Sequence, residues 1–129
     1  VNEDAATLLP SEDAVLFSTN EKGCYSGVTS VSNGARIHAN KETLIVAERT
    51  YSDSYCRIPF SFVPEKDASY KVTLGVVGNI GRTVGFADAK KAGCVAILVK
   101  VVGETETPVK VLPLKFQTRF ACIKLIPKE

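Results

Sequence analysis

The sequence predicts an all-β fold, an antiparallel β-sandwich with little helix, and three observations carry that expectation. Short runs alternate apolar and polar residues with a period of two, turn-forming clusters separate them, and only Thr83 to Ala92 invites a helix. The alternation is clearest from Tyr55 to Val77. Ile58, Phe60 and Phe62 interleave with Arg57, Pro59 and Ser61, and Tyr70, Val72, Leu74 and Val76 interleave with Lys71, Thr73 and Gly75. Pro64 to Ser69 between them has the composition of a reversing loop, so Cys56 to Val77 reads as a β-hairpin at the centre of the sandwich. Pro59 has no N–H to give, which places its strand at a sheet edge or a bulge.

The first thirteen residues, Val1 to Asp13, are acidic and rich in small residues, and read as a flexible lead-in or tether to a single domain over residues 14–129. Ala14 to Thr19 is the first strand, and Asn20 to Gly23 a turn in which Gly23 can take positive φ. Cys24 to Val31 is a serine-rich strand suited to an edge, closed by Asn33-Gly34, the strongest short hairpin signal in the chain. Ala35 to Ala39 follows. Thr43 to Tyr51 contains the triplet Leu44-Ile45-Val46, which fits a strand buried on both faces or a helical segment.

After the hairpin, Gly93 stands where a C-terminal cap would end a helix over Thr83 to Ala92. Val95 to Val102 has seven apolar residues of eight and is expected as a central strand. Gly103 to Pro108 is polar enough for an exposed loop. From Leu112, the residues Leu114, Phe116, Thr118, Phe120 and Cys122 share one face, while Val109 and Val111 precede in the opposite phase. That switch at Pro113 is expected of a strand crossing between two packed sheets.

With 129 residues, 45% hydrophobic and 23% charged, the chain can build one real core, and no apolar run is long enough to span a bilayer as a helix. The net charge of +2 is uninformative, but the sixteen basic residues are scattered among fourteen acidic ones without the continuous basic stripe that phosphate neutralisation requires, which argues against nucleic acid as a partner. Cys24, Cys56, Cys94 and Cys122 are widely spaced, without a Cys-x-x-Cys pair, and an even count fits two disulfides. Valine at position 1 fits a processed start, so the expectation is an exported protein whose signal has been removed. Of the three possible connectivities, Cys56 with Cys94 and Cys24 with Cys122 is preferred. An in-sheet route would put Cys56 and Cys94 one strand too far apart, so loops or a sheet-to-sheet arrangement must join them.

Candidate chemistry is sparse. Val72 to Val99 reads as strand, glycine loop, helix and strand, but Gly78, Gly81 and Gly85 are spaced G-x-x-G-x-x-x-G, which is not the dinucleotide fingerprint. His38 is the only histidine and lies in a polar region, so no nucleophilic triad and no metal set is expected, and no cofactor. Glu65 with Asp67, and Glu104 with Glu106, are paired carboxylates in polar loops, expected to be solvated. The best binding candidate is the loop Ser52-Asp53-Ser54 with its flanking aromatics, giving Tyr51, Asp53 and Tyr55.

Cys56-x-x-x-Phe60-x-Phe62-x-Pro64-Glu65, then Tyr70-x-Val72 and later Cys94-x-Ala96-Ile97-Leu98-Val99, resembles a pattern of small bacterial periplasmic and outer-membrane lipoproteins. The resemblance covers Tyr55 to about Val102, with Asp67 where glycine is usual. It implies an immunoglobulin- or transthyretin-like sandwich of the cell envelope, tethered by a lipidated cysteine that would precede Val1. The membrane would be reached only through that anchor. The resulting expectation is a non-enzymatic periplasmic, outer-membrane-attached or extracellular protein that binds another envelope protein or cell-wall material through loops. The alternative is an inhibitor or immunity-type protein that blocks a hydrolase with a projecting loop, Glu104 to Pro108 or Ser52 to Tyr55; an enzyme built on the glycine loop ranks third.

Overall fold

The computed structural model describes residues 4–51, 54–76 and 94–128. The expected helix over Thr83 to Ala92 and the glycine loop before it lie outside them. Among the described residues there is no helix, and two sheets pack as an open β-sandwich.

The five-stranded sheet is ordered β4 (Ala35–His38), β1 (Ala5–Leu8), β7 (Ser69–Val76), β8 (Cys94–Val102), β9 (Thr105–Pro108). The six-stranded sheet is ordered β11 (Cys122–Pro127), β10 (Leu112–Arg119), β6 (Ser54–Phe62), β5 (Thr43–Tyr51), β2 (Ala14–Thr19), β3 (Tyr25–Ser30). Neighbours run antiparallel except β1 and β7, which pair in parallel at Thr7↔Ser69 and Leu8↔Tyr70. The core lies between the sheets. Leu8, Ile45, Ala47, Ile58, Phe60, Phe62, Tyr70, Val72, Leu74 and Leu98 are buried in one cluster, the inward set that a period of two generates.

Three connections differ from what the sequence suggests. Cys56 to Val77 is not a hairpin: β6 belongs to the six-stranded sheet and β7 to the other, and Val63 to Ala68 crosses between them. Alternation fixes which face of a strand is buried and not which strand lies beside it, and two strands facing each other across a core alternate just as hairpin partners do. The crossing is ordered by its own contacts. The Glu65 N–H donates to the Tyr70 hydroxyl at 2.9 Å, the Tyr70 ring meets Phe62 edge-on at 5.0 Å, and Asp67 takes φ 62° while its N–H donates to the Ala5 carbonyl. Likewise Asn33-Gly34 joins β3 in one sheet to β4 in the other. Gly34 has φ 83° and its N–H donates to the Val31 carbonyl; a Cβ there would stand 3.1 Å from the Leu8 carbonyl. Finally, Gly103 to Pro108 is a tight turn and the edge strand β9, whose side chains are all exposed, so its composition reads as loop.

The lead-in is also structured. Residues 5–8 form β1, inserted between β4 and β7, with Ala6 and Leu8 buried; Leu9 N–H then donates to the Tyr70 carbonyl and Ser11 N–H to the Val31 carbonyl. Pro59 is not on an edge strand, because β6 has neighbours on both sides. Its ladder with β10 is only Leu112↔Ser61 and Pro113↔Phe60, and stops beside the proline. The phase switch near Pro113 does mark a passage between sheets, from β9 through Val109 and Val111 to β10. Phe120, however, is not on a strand face. Phe120-Ala121 is the two-residue turn between β10 and β11, with Arg119 opposite Cys122.

Cys56 is bonded to Cys94 and Cys24 to Cys122, with Cα separations of 6.0 and 5.1 Å. The first joins β6 to β8 across the core, which is the sheet-to-sheet arrangement. The second joins Cys24, just ahead of β3, to the start of β11, and so links the two opposite edges of a single sheet.

Candidate functional site

Linking opposite edges requires the six-stranded sheet to curl. Part of that curl arises in β2 and β3, whose register shifts at Ser18/Thr19, and Gly27 opposite takes φ 145°, a bulge that adds twist. The outward face is thereby wrapped around a hollow of about 530 Å³. Its residues come from cross-strand pairs of one parity. Val15 lies opposite Val46, Phe17 opposite Val28, Glu48 opposite Arg57, and Thr118 opposite Ile123. Tyr25 and Phe116 complete the lining.

The chemistry of this hollow is aromatic and aliphatic with one ion pair. The Phe17 ring centroid lies 5.2 Å from that of Tyr25 and 6.4 Å from that of Phe116, and the Arg57 guanidinium carbon sits 5.6 Å from the Phe116 centroid. Arg57 Nε donates to Glu48 Oε1 at 3.1 Å. Phe17 and Val46 are buried, yet Tyr25, Val28, Phe116 and Ile123 stay exposed. Four large apolar side chains showing at the rim of one hollow form a contiguous apolar patch, unlike scattered surface leucines or valines.

The candidates chosen from sequence lie elsewhere. Tyr51 and Tyr55 belong to β5 and β6 rather than to a loop, with Tyr51 opposite Ser54 and Thr50 opposite Tyr55; Asp53 lies outside the described residues. Of the proposed blocking loops, Thr105 to Pro108 is strand β9, and Ser54 and Tyr55 open β6, while Ser52 and Asp53 lie outside the described residues. Glu65 pairs with Lys100 of β8 at 2.6 Å, and Glu106 of β9 reaches over β8 to Lys71 of β7 at 3.5 Å; these are separate ion pairs on the five-stranded side and not a joint acid–base site. His38 is exposed at the end of β4. Among the described residues no group of three or more His, Cys, Asp or Glu side chains could hold a metal ion.

The hollow had a signal in the sequence. Val15-Leu16-Phe17 and Leu44-Ile45-Val46 are apolar on both parities, and β2 and β5 are adjacent, so the outer face of the sheet has to be covered as well as the inner one. No protein-family model, no curated protein and no solved structure matches the chain.

Proposed function

We propose that this is a non-enzymatic binding protein that takes a small apolar, ring-bearing molecule into the curl of its six-stranded sheet. The observation that supports this is the aromatic-walled hollow of about 530 Å³, within the size range of small-molecule sites. Phe17, Tyr25 and Phe116 offer ring faces and edges, and the Arg57–Glu48 pair offers polar orientation at one wall. Recognition by the curled sheet replaces recognition by loops in this reading. Two disulfides suggest an oxidising, extracytoplasmic compartment. The narrower assignment to the periplasm or outer membrane, with an immunoglobulin- or transthyretin-like domain on a lipid tether, rests on the Tyr55 to Val102 resemblance. In that setting the ligand is a component of the envelope.

The test is titration with the apolar fluorophore N-phenyl-1-naphthylamine. Saturable, one-to-one enhancement is expected, weakened about tenfold by Val28→Glu, which puts a charge at the rim of an apolar site. Non-saturable enhancement, or equal binding by Val28→Glu, sinks the reading.

A further inference from the structure

The tip of the β10–β11 hairpin combines two features that the folded chain itself does not use. Phe120 and Ala121 have φ of 51° and 64°, left-handed values that a two-residue turn normally fills with Asn and Gly. A bulky aromatic residue is strained there, and Phe120 is 91% exposed, so it returns no packing to the monomer. Around it lie Lys22, Arg119 and Lys124, with Cys24 and Cys122, at a shallow depression of about 320 Å³. The cations come from two separate hairpins, Lys22 from the β2–β3 turn and the others from β10–β11, and the Cys24–Cys122 bond locks the two together. Among the described residues none of these three side chains is in an ion pair. The carboxylate nearest to them in the chain is Glu21, next to Lys22, and the three cations outnumber it. Between Glu106 and Glu129 the charged residues are Lys110, Lys115, Arg119, Lys124 and Lys128.

From this we infer that the Phe120 tip is a contact for an anionic lipid surface. The ring enters the boundary between headgroups and acyl chains, while Lys22, Arg119 and Lys124 remain among the phosphates and the disulfide keeps the tip rigid. A membrane surface fits because its charge is laterally continuous and can meet cations drawn from both hairpins flanking one apolar point. Among the described residues no helix is long and apolar enough to cross a membrane, and none is needed for a contact of this kind. The contact is independent of the ligand hollow, whose apolar lining faces the other side of β10, where Phe116 and Thr118 alternate with Gln117 and Arg119.

The chain contains no tryptophan, so Phe120→Trp makes a single reporter at the tip. Its emission is expected to shift to the blue with vesicles of phosphatidylcholine containing about one-third phosphatidylglycerol, to stay unshifted with phosphatidylcholine alone, and to revert as salt is added. Phe120→Asn suits the left-handed turn and so preserves folding, shown by an unreduced melting temperature, while sedimentation with the anionic vesicles falls about tenfold. Replacing Lys22, Arg119 and Lys124 by Gln should cost roughly fivefold for each cation. An unshifted Phe120→Trp spectrum overturns the proposal, as does equal binding to neutral vesicles. Undiminished binding by Phe120→Asn also overturns it, leaving a merely charged surface of the sort an acidic protein would fit.

Discussion

The two faces of the six-stranded sheet are both apolar, and they are covered in different ways. The inner face, with Ile45, Ala47, Ile58, Phe60 and Phe62, is met by a second sheet whose Tyr70, Val72, Leu74 and Leu98 are buried against it. The outer face, with Val15, Phe17, Val46 and Phe116, is covered only by the bending of its own sheet, and a hollow remains. A second sheet supplies side chains that interdigitate from across a gap of roughly 10 Å. A curl supplies only side chains that already belong to the surface being folded over, so its centre stays open. One face holds the protein together, and the other keeps the hollow to which the proposed ligand is assigned.

The disulfides divide along the same line, and removing them separately gives the largest expected effects. In the chain-entropy model the Cys24–Cys122 bond, closing a separation of 98 residues, stabilises by about 4.7 kcal/mol, and Cys56–Cys94, closing 38, by about 3.9 kcal/mol. Denaturant melts should therefore rank the Cys24→Ser/Cys122→Ser variant as the less stable of the two. Its binding of the naphthylamine probe should also fail, because nothing then fastens β3 to β11. The Cys56→Ser/Cys94→Ser variant should lose stability and keep its affinity. If affinity instead follows the bond across the core, the hollow does not depend on the curl.

Side chains sharpen the contrast further. Phe60 is 1% exposed at the centre of the inner face, and Phe60→Ala should cost about 3 to 5 kcal/mol of unfolding free energy. Phe116 is 39% exposed on the outer face, and Phe116→Ala should cost about 1 kcal/mol or less while weakening the probe severalfold. Chemical denaturation and probe titration of both variants give the comparison directly. A Phe116→Ala variant destabilised as far as Phe60→Ala would make the outer face a second core.

The inner face is legible in the sequence strand by strand, the outer one only in the two apolar triplets Val15-Leu16-Phe17 and Leu44-Ile45-Val46. Alternation at Ile58, Phe60, Phe62, Tyr70, Val72 and Leu74 assigns the buried side of each strand from local pattern alone. Which sheet a strand joins depends on partners far along the chain, so Cys56 to Val77 reads as a hairpin although its halves face each other across the core. The strand β1 was missed because four residues between an acidic start and Pro10 carry little pattern, and their burial comes from β4 and β7. The hollow is less local still. Phe17, Tyr25 and Phe116 come from three strands, the last far along the chain from the other two, and meet in the curled sheet, whereas Tyr51 and Tyr55 stand out locally as the aromatics flanking Ser52-Asp53-Ser54.

The smallest expected effect tests the inner side at its rim. Lys100 on β8 reaches Glu65 in the β6–β7 crossing, with Nζ donating to Oε1 at 2.6 Å, and so ties the connection between sheets to the five-stranded sheet. The hydrogen bond to Glu65 first, and the attraction of its charge second, raise the Lys100 pKa above its ordinary 10.5. A cation whose pKa is higher folded than unfolded binds its proton more tightly in the native state. The contribution is then fully present below the unfolded value, and is lost as pH rises through the folded one. Both side chains are substantially exposed, so solvent and salt screen the pair and the effect is small. Comparing urea midpoints of the native protein and of Lys100→Gln from about pH 9 to about pH 11.5 cancels the other lysines and tyrosines that titrate there. The native protein should lead at the lower end and the two should converge at the upper end. A constant offset across that range would assign the loss to packing of the lysine stem against β8, and would remove the ion pair from the forces that hold the crossing in place.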